Sequence, residues 1–331
     1  MDGHYLAWSS EAVLRQPNWQ LLENCRLCPR SCGINRAGQS GQKATRGYCR
    51  QGSTMKVAYV GPHMGEEPPI TGRRGAGTVF LTGCTLRCSY CQNYQISHQG
   101  LGQQFTPDRL IVKIAAMIDS YGVHNVSFVT PDHFFPHVFE TVEGLRARGY
   151  GLPVVMNVSG YQSVEMLKRA ENYTDIYLPD FKYADSGLAN RLSSCPDYPE
   201  VALSALDEML KQKGFLKTTN ANPGVATKGV LVRHLILPGH VKNSCDALTM
   251  LFVEFGPKLP LSLMSQYYPV RPQKFPELNR TIKKEEFEMV LSHAKDLGFH
   301  TLFVQYLSNN ITVTNEKPSF VPDFSSPRPF G

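Results

Sequence analysis

Six short runs rich in β-branched and aromatic residues alternate with helical stretches from residue 78 onward, and this alternation restricts the fold more than any other feature. The runs cover residues 78–82, 125–130, 153–157, 175–179, 229–237 and 261–267. Between and after them lie amphipathic stretches at 107–122, 137–149, 163–172, 200–214, 244–256 and 283–298, most of them closed by glycine. A late run at 300–307 reads as one more strand. Repeated strand–helix–strand units give parallel strands joined by right-handed crossovers. The choices are an open doubly wound sheet or a barrel, and six units fall short of the eight of a closed barrel. No G-x-G-x-x-G follows the first strand, which weighs against a dinucleotide fold.

In parallel α/β architectures, sites form beyond the carboxyl ends of the strands. Here Cys84 follows the first strand, and Thr130, Asp132 and His133 follow the second. Asn157 and Ser159 follow the third, and Asp180 and Lys182 follow the fourth. Arg233 and His234 sit within the fifth, where one of two adjacent side chains must face inward, and Gln266 and Tyr267 close the sixth. Polar groups at successive strand ends point to one shared site on one rim.

The chain has nine cysteines, seven of them within the first 91 residues. An odd, clustered set fits metal binding in a reducing compartment better than a disulfide framework. Cys84, Cys88 and Cys91 form a C-x3-C-x2-C run directly after the first strand. Three close thiolates hold three corners of a 4Fe–4S cube and leave the fourth iron open to a ligand. A partial zinc site completed from elsewhere is the alternative, and the position on the polar rim argues against it. Cys25, Cys28, Cys32 and Cys49 form a second set, suited to a second 4Fe–4S cluster or to tetrahedral zinc. Cys195 and Cys245 read as ordinary thiols. Glu66 and Glu67, in the stretch GEEPPITGRRG, either reach the rim or sit in a solvated turn.

The 42% apolar content is enough for a large core, and 19% charged residues argue against global disorder. The net charge of +6 is spread without a Lys/Arg run, so no nucleic-acid partner is expected. No basic start leads into an apolar stretch, and no window carries the ~20 apolar residues of a membrane span. The expectation is a cytoplasmic protein with no membrane partner. Three regions are expected: a Cys-rich metal-binding extension over 1–60, the α/β unit over 61–310, and a Pro-rich tail over 311–331. The tail reads as an extended strap or as disordered, with Pro318, Pro322, Pro327 and Pro329.

The cysteine loop resembles that of the radical S-adenosylmethionine (SAM) superfamily, in which C-x3-C-x-aromatic-C follows the first strand of a partial (β/α)6 TIM-like barrel. Tyr90 takes the aromatic position. The chain is more closely similar to proteins like the pyruvate formate-lyase activating enzyme, in a branch of uncharacterised iron–sulfur homologues. The stretches CRLCPRSCGINR, GYCR, GEEPPITG, GCTLRCSYCQNYQIS, FVTPDHF, NVSGY, YLPDFKY, DYPE, VRHLILPG and LMSQYYP carry this likeness, from about Cys25 to Tyr268.

The resemblance implies a partial barrel of this type behind an N-terminal Cys-rich extension. It implies a 4Fe–4S cluster on Cys84, Cys88 and Cys91 that splits SAM reductively to methionine and a 5′-deoxyadenosyl radical, which takes hydrogen from a substrate. SAM contacts carry over to Tyr90, Thr130, Pro131, Asn157, Ser159, Asp180, Lys182, Arg233, His234 and Gln266. Lys182 is the candidate for the methionine carboxylate. The family's Gly-Gly-Glu segment is absent, so backbone carbonyls near Thr130 and Pro131 would take the methionine amine. Implied partners are SAM, a peptide or protein substrate, and a reductant such as flavodoxin or ferredoxin. The resemblance implies an activating-enzyme-like role, but the second cysteine set precedes the SAM-binding cysteines instead of following them, a departure that leaves open whether the substrate is a glycyl-radical protein. A non-catalytic iron–sulfur electron-transfer or docking module is the alternative.

Overall fold

The computed structural model describes residues 20–37, 46–220, 224–307 and 318–330. After the short helix α1 (Gln20–Glu23), strand β1 (Met55–His63) runs antiparallel to β2 (Ala76–Leu81), with α2 (Pro68–Thr71) between them. Helix α3 (Tyr94–Ser97) follows the cysteine loop, and β3 (Gln103–Phe105) pairs with the outer edge of β1. The alternating unit continues through α4 (Pro107–Tyr121), β4 (Val126–Val129), α5 (Phe135–Ala147), β5 (Val154–Val158), α6 (Val164–Ala170) and β6 (Ile176–Pro179). Two helices, α7 (Ser186–Ser193) and α8 (Tyr198–Lys213), and the edge strand β7 (Lys217–Thr218) precede β8 (Ala226–Val230) and β9 (Val232–Leu235). The chain then forms α9 (Val241–Phe255), β10 (Leu261–Met264), α10 (Lys284–Leu297) and β11 (Leu302–Val304).

Strands β2, β4, β5, β6 and β8 pair parallel in that order, and β9, β10 and β11 pair parallel in the other sheet. A single bridge, Asp180 to Arg233, joins the two sheets where β8 runs on into β9. The result is a partial TIM-like barrel. β2 turns its far edge to β1 and β11 pairs only with β10, so the barrel does not close there.

Residue alternation builds two layers. Val126, Phe128, Val154, Met156, Val158 and Tyr177 face the helices and join one large core with Leu110, Ile114, Val138 and Val142. Val155, Ile176, Leu178 and Leu231 face the lumen and pack on Ile70 and Ala76. Ile70 belongs to the segment between β1 and β2, which therefore plugs the barrel floor. Helix α4 shows why these helices start and stop where they do. The Thr106 side chain accepts from the Arg109 amide, Pro107 opens the first turn, and Gly122 ends it at a φ of 59°.

Sequence periodicity misses β1 and α7. Gly61 and Pro62 interrupt β1, and its register shifts between Val57 and Tyr59. Helix α7 is eight residues long, too short for a periodic signal. Residue 60, the expected domain boundary, lies inside β1. Residues 1–19 of the expected extension and 308–317 across the start of the expected tail lie outside the described residues. Among the described residues, no helix is long and apolar enough to cross a membrane.

Candidate active site

The loop after β2 carries Cys84, Cys88 and Cys91 to the carboxyl end of the barrel. Arg87, at a φ of 53°, turns the chain between the first two cysteines. The Leu86 and Arg87 amides donate to Cys84 Sγ at 3.3 and 3.5 Å, and Ser97 Oγ donates to Cys91 Sγ at 3.2 Å. These donors favour thiolate. Burial pushes the Cys84 and Cys91 thiols up, and each is raised further by its neighbours in the trio. Such a trio holds protons by itself and gives them up to a cation. Three sulfurs carried on one loop, two of them with amide or hydroxyl donors, fit a cluster that needs three thiolates.

Beyond the loop, one buried polar network spans the lumen. Arg233 points inward from β9 and donates to Asp180 Oδ1 at 3.0 Å, Glu66 Oε2 at 3.1 Å and Asn157 Oδ1 at 2.5 Å. Lys182 Nζ donates to the other Asp180 oxygen at 2.5 Å. Desolvation works against the Asp180 carboxylate, but Lys182 and Arg233 outweigh it and hold its pKa below the usual range. Desolvation likewise opposes the Lys182 charge, and Asp180 more than restores it. Lys182 also lies within electrostatic reach of Cys88 and Cys91, so the network touches the cysteine loop. Burial pushes both Glu66 and Glu67 up against the pull of Arg233. One Glu67 oxygen is buried without a hydrogen-bond partner. Glu66, Glu67 and Asp180 thus share the lumen with Lys182 and Arg233.

The structure brings Asn157, Asp180, Lys182 and Arg233 together and adds Glu66, which enters on the floor plug. Thr130 sits at the end of β4 at a φ of 55°, its amide bonded to Asn157 O at 2.9 Å, with Pro131 beside it. Ser159 is buried near Gln162, which donates to it at 3.4 Å and to Asp132 at 2.7 Å. His234 faces away from Arg233, its Nδ1 2.6 Å from Phe181 O. Tyr90 is buried, accepts from the Tyr183 hydroxyl at 2.9 Å and packs against the Tyr267 ring. Gln266 lies off the network and accepts from Gln305 at 2.9 Å.

Tyr198, from the DYPE stretch, is the residue the sequence reading passes over. Its hydroxyl accepts the Lys182 amide at 2.9 Å and stands 2.9 Å from the carbonyls of both Ser159 and Asp180. It ties the ends of β5 and β6 together. Gly160 makes that approach possible, because a Cβ there would stand 2.1 Å from Asp180 O. Tyr198→Phe leaves these buried groups short of a partner and is expected to cost about 1–3 kcal/mol in urea unfolding of the anaerobic protein.

The second cysteine set gathers beside this rim. Cys25 N donates to Ile34 O and Gly33 N to Cys25 O, both at 3.0 Å, which closes the loop carrying Cys28 and Cys32. A Cβ on Gly47 would touch both Cys32 Sγ and Cys49 Sγ, and Cys28 and Cys49 each lie within electrostatic reach of Cys25. Burial pushes Cys28 up to about 12. Among the described residues, no three His, Cys, Asp or Glu side chains close on a point as they would around one ion. Buried Arg36 fastens the extension to the barrel by donating to Gly52 O and His133 O, each at 2.8 Å. Arg30 reaches Thr85 O in the first cysteine loop at 3.1 Å.

Residues 78–224 match the Radical SAM superfamily. An uncharacterized protein of Methanocaldococcus jannaschii is 27% identical over 294 residues, 86% of this chain and 78% of that one. Among solved structures, HydG, a maturase of the FeFe hydrogenase, aligns with a TM-score of 0.48 and 13% identity over 73% of this chain. The chain spans about half of that maturase, 54%. A domain of pyruvate-formate lyase-activating enzyme from Bacteroides vulgatus aligns with a TM-score of 0.36 and 14% identity, over 52% of this chain and 93% of the domain. The matched segment begins in β2 and holds the three-cysteine loop and the ends of β4, β5 and β6, and over that segment this chain is similar to the radical SAM superfamily.

Proposed function

We propose that the chain is an enzyme that cleaves SAM reductively and abstracts hydrogen from a peptide or protein, as an activating enzyme does. Cys84, Cys88 and Cys91 would hold the 4Fe–4S cluster. When bound, that cluster supplies the electron that splits SAM into methionine and a 5′-deoxyadenosyl radical. The chain's own contribution is to orient SAM: Lys182 meets its carboxylate. The observation that carries the proposal is the Lys182–Asp180–Arg233 network lying within reach of Cys88 and Cys91.

Support for a peptide substrate comes from the chain itself. Residues 318–330 lie along the inner side of β1 and β2. Gln92 donates to Phe320 O, and Gln95 bonds Asp323 Oδ1 and Phe324 N, each at 2.8 Å. Phe324 and Phe330 stack on Phe80 at 5.1 and 5.3 Å, and Phe330 on His63 at 4.1 Å. A barrel side that accommodates one extended segment has the shape for another. The second cysteine set is read as a further iron–sulfur site. Four thiols in one place also suit tetrahedral zinc, and iron and zinc content of the anaerobically purified protein decides between the two.

Anaerobic reconstitution with iron, sulfide, SAM and a strong reductant is expected to yield 5′-deoxyadenosine. Product no greater than that of Cys88→Ala would refute the proposal.

A further inference from the structure

A second cavity lies outside the lumen, between the segment that carries Cys49 into β1 and the end of α3. Its volume is about 430 Å3, within the range of small-molecule sites. Arg46, Arg50, Lys56 and His98 line it, with Gln51 and Gln104 among the polar groups between them. None of the lining residues is acidic, and Ile96 is the only large apolar one. Arg87 and Arg271 lie close enough, with Arg50, to act on His98.

Cys84 and Cys49 are anionic groups within electrostatic reach of Arg87 once deprotonated. Among the described residues, no carboxylate stands within ion-pair distance of Arg46, Arg50, Lys56 or Arg87. Arg50 spends one donor on His98 O at 3.3 Å, and Lys56 one on Gly100 O at 2.6 Å, which leaves the remaining N–H groups unspent. Arg87 Nε is buried with no partner. Arg50 and Arg87 both occupy the left-handed region, at φ of 60° and 53°, a conformation that costs free energy for side chains of this kind. Burial and the neighbouring arginines hold the His98 pKa down at about 4, so the imidazole is neutral at physiological pH and able to donate or accept. Gathering like charges on strained backbone around a concave space is destabilising unless a negative group enters it.

We propose that this cavity binds a small molecule through a phosphoryl or carboxylate group. A concave space of this size favours a small ligand over the flat face of a partner protein. Oxyanions suit it because planar guanidinium groups and an ammonium supply several charge-assisted bonds at once. The pocket adjoins the cysteine loop: His98 Nδ1 is 2.9 Å from Ser97 Oγ, which in turn bonds Cys91 Sγ. The proposal stands whether or not the chain cleaves SAM.

The test is calorimetric titration of the full-length, anaerobically purified protein with inorganic pyrophosphate in one arm and citrate in the other. Saturable binding is expected in at least one arm, and the tighter arm identifies the chemical class. Arg50→Gln is expected to weaken that binding about 10- to 100-fold, the loss of one charge-assisted bond. Gly52 provides a second variant that leaves every arginine in place. A Cβ at Gly52 meets nothing within 4 Å and its φ is ordinary, so Gly52→Glu fits sterically and sets a carboxylate among the cations. Gly52→Glu is expected to abolish binding while Gly52→Ala retains it, with iron content and circular dichroism unchanged in both. Absence of saturable binding in both arms, or equal affinity in wild type and Gly52→Glu, overturns the proposal.

Discussion

Arg233→Met is expected to destabilise the protein by about 3–5 kcal/mol, the cost of leaving buried charges uncompensated. The guanidinium binds Asp180 from β6, Asn157 from β5 and Glu66 from the floor plug, so its loss strands the Glu66 carboxylate and one amide oxygen and leaves Asp180 to Lys182 alone. The side chain is only 12% exposed, so water does little to replace it. Of the partner groups, Glu66 is more deeply placed at 8% and Asp180 slightly less at 17%. Methionine keeps the length and the apolar stem, so the loss reports charge and hydrogen bonding more than volume. Urea unfolding of the anaerobic protein measures it. Adding Glu66→Gln to the variant is expected to recover part of the loss, because the stranded charge goes with it. A single-variant cost below about 1 kcal/mol, the value of an exposed pair, would mean that water already fills the lumen.

That network shows how far the sequence could be read. The barrel strands were legible because parallel strands covered on both faces are short, nearly continuous apolar runs, as in Val126–Val129 and Ile176–Pro179. The cysteine loop was legible because its ligand spacing is local. Asp180 and Lys182 stand at a strand end, where the architecture puts chemistry. Period-two alternation says that only one of Arg233 and His234 faces the lumen, and not which one. The structure turns Arg233 inward and sends His234 to Phe181 O. Glu66 could be read only as far as an even choice between the rim and a solvated turn, for a different reason. Its place depends on a segment rich in Gly and Pro crossing the barrel floor, a tertiary event with no periodic trace. Tyr198 opens a helix and looks like an ordinary core aromatic, and its phenol finds Lys182 and Asp180 only after α8 packs. The cationic cavity also escapes a reading by runs, because Arg46, Arg50, Lys56 and His98 are scattered along the chain and meet only when β1 docks beside α3.

Lys182→Ala separates a SAM enzyme from an iron–sulfur module that only relays electrons. Its side chain is 16% exposed, bonded to Asp180 and within electrostatic reach of Cys88 and Cys91. Unlike Arg233, it can be removed without stranding a charge, since Asp180 keeps its 3.0 Å bond to Arg233. The fold and the thiols should therefore survive, and iron content should equal that of wild type. Because Asp180 holds the lysine protonated, its contribution to SAM binding is expected to be flat across neutral pH. A charge-assisted bond to a carboxylate is worth about 1.5–3 kcal/mol, so SAM affinity is expected to fall roughly 10- to 150-fold. Equilibrium binding of SAM to the reconstituted protein, read beside its iron content, measures both quantities on one sample. An electron relay has no use for a sulfonium ligand and would show no SAM affinity to lose. Unchanged SAM affinity with intact iron would remove Lys182 from the site, and loss of iron together with affinity would make it a support of the cysteine loop instead of a ligand contact.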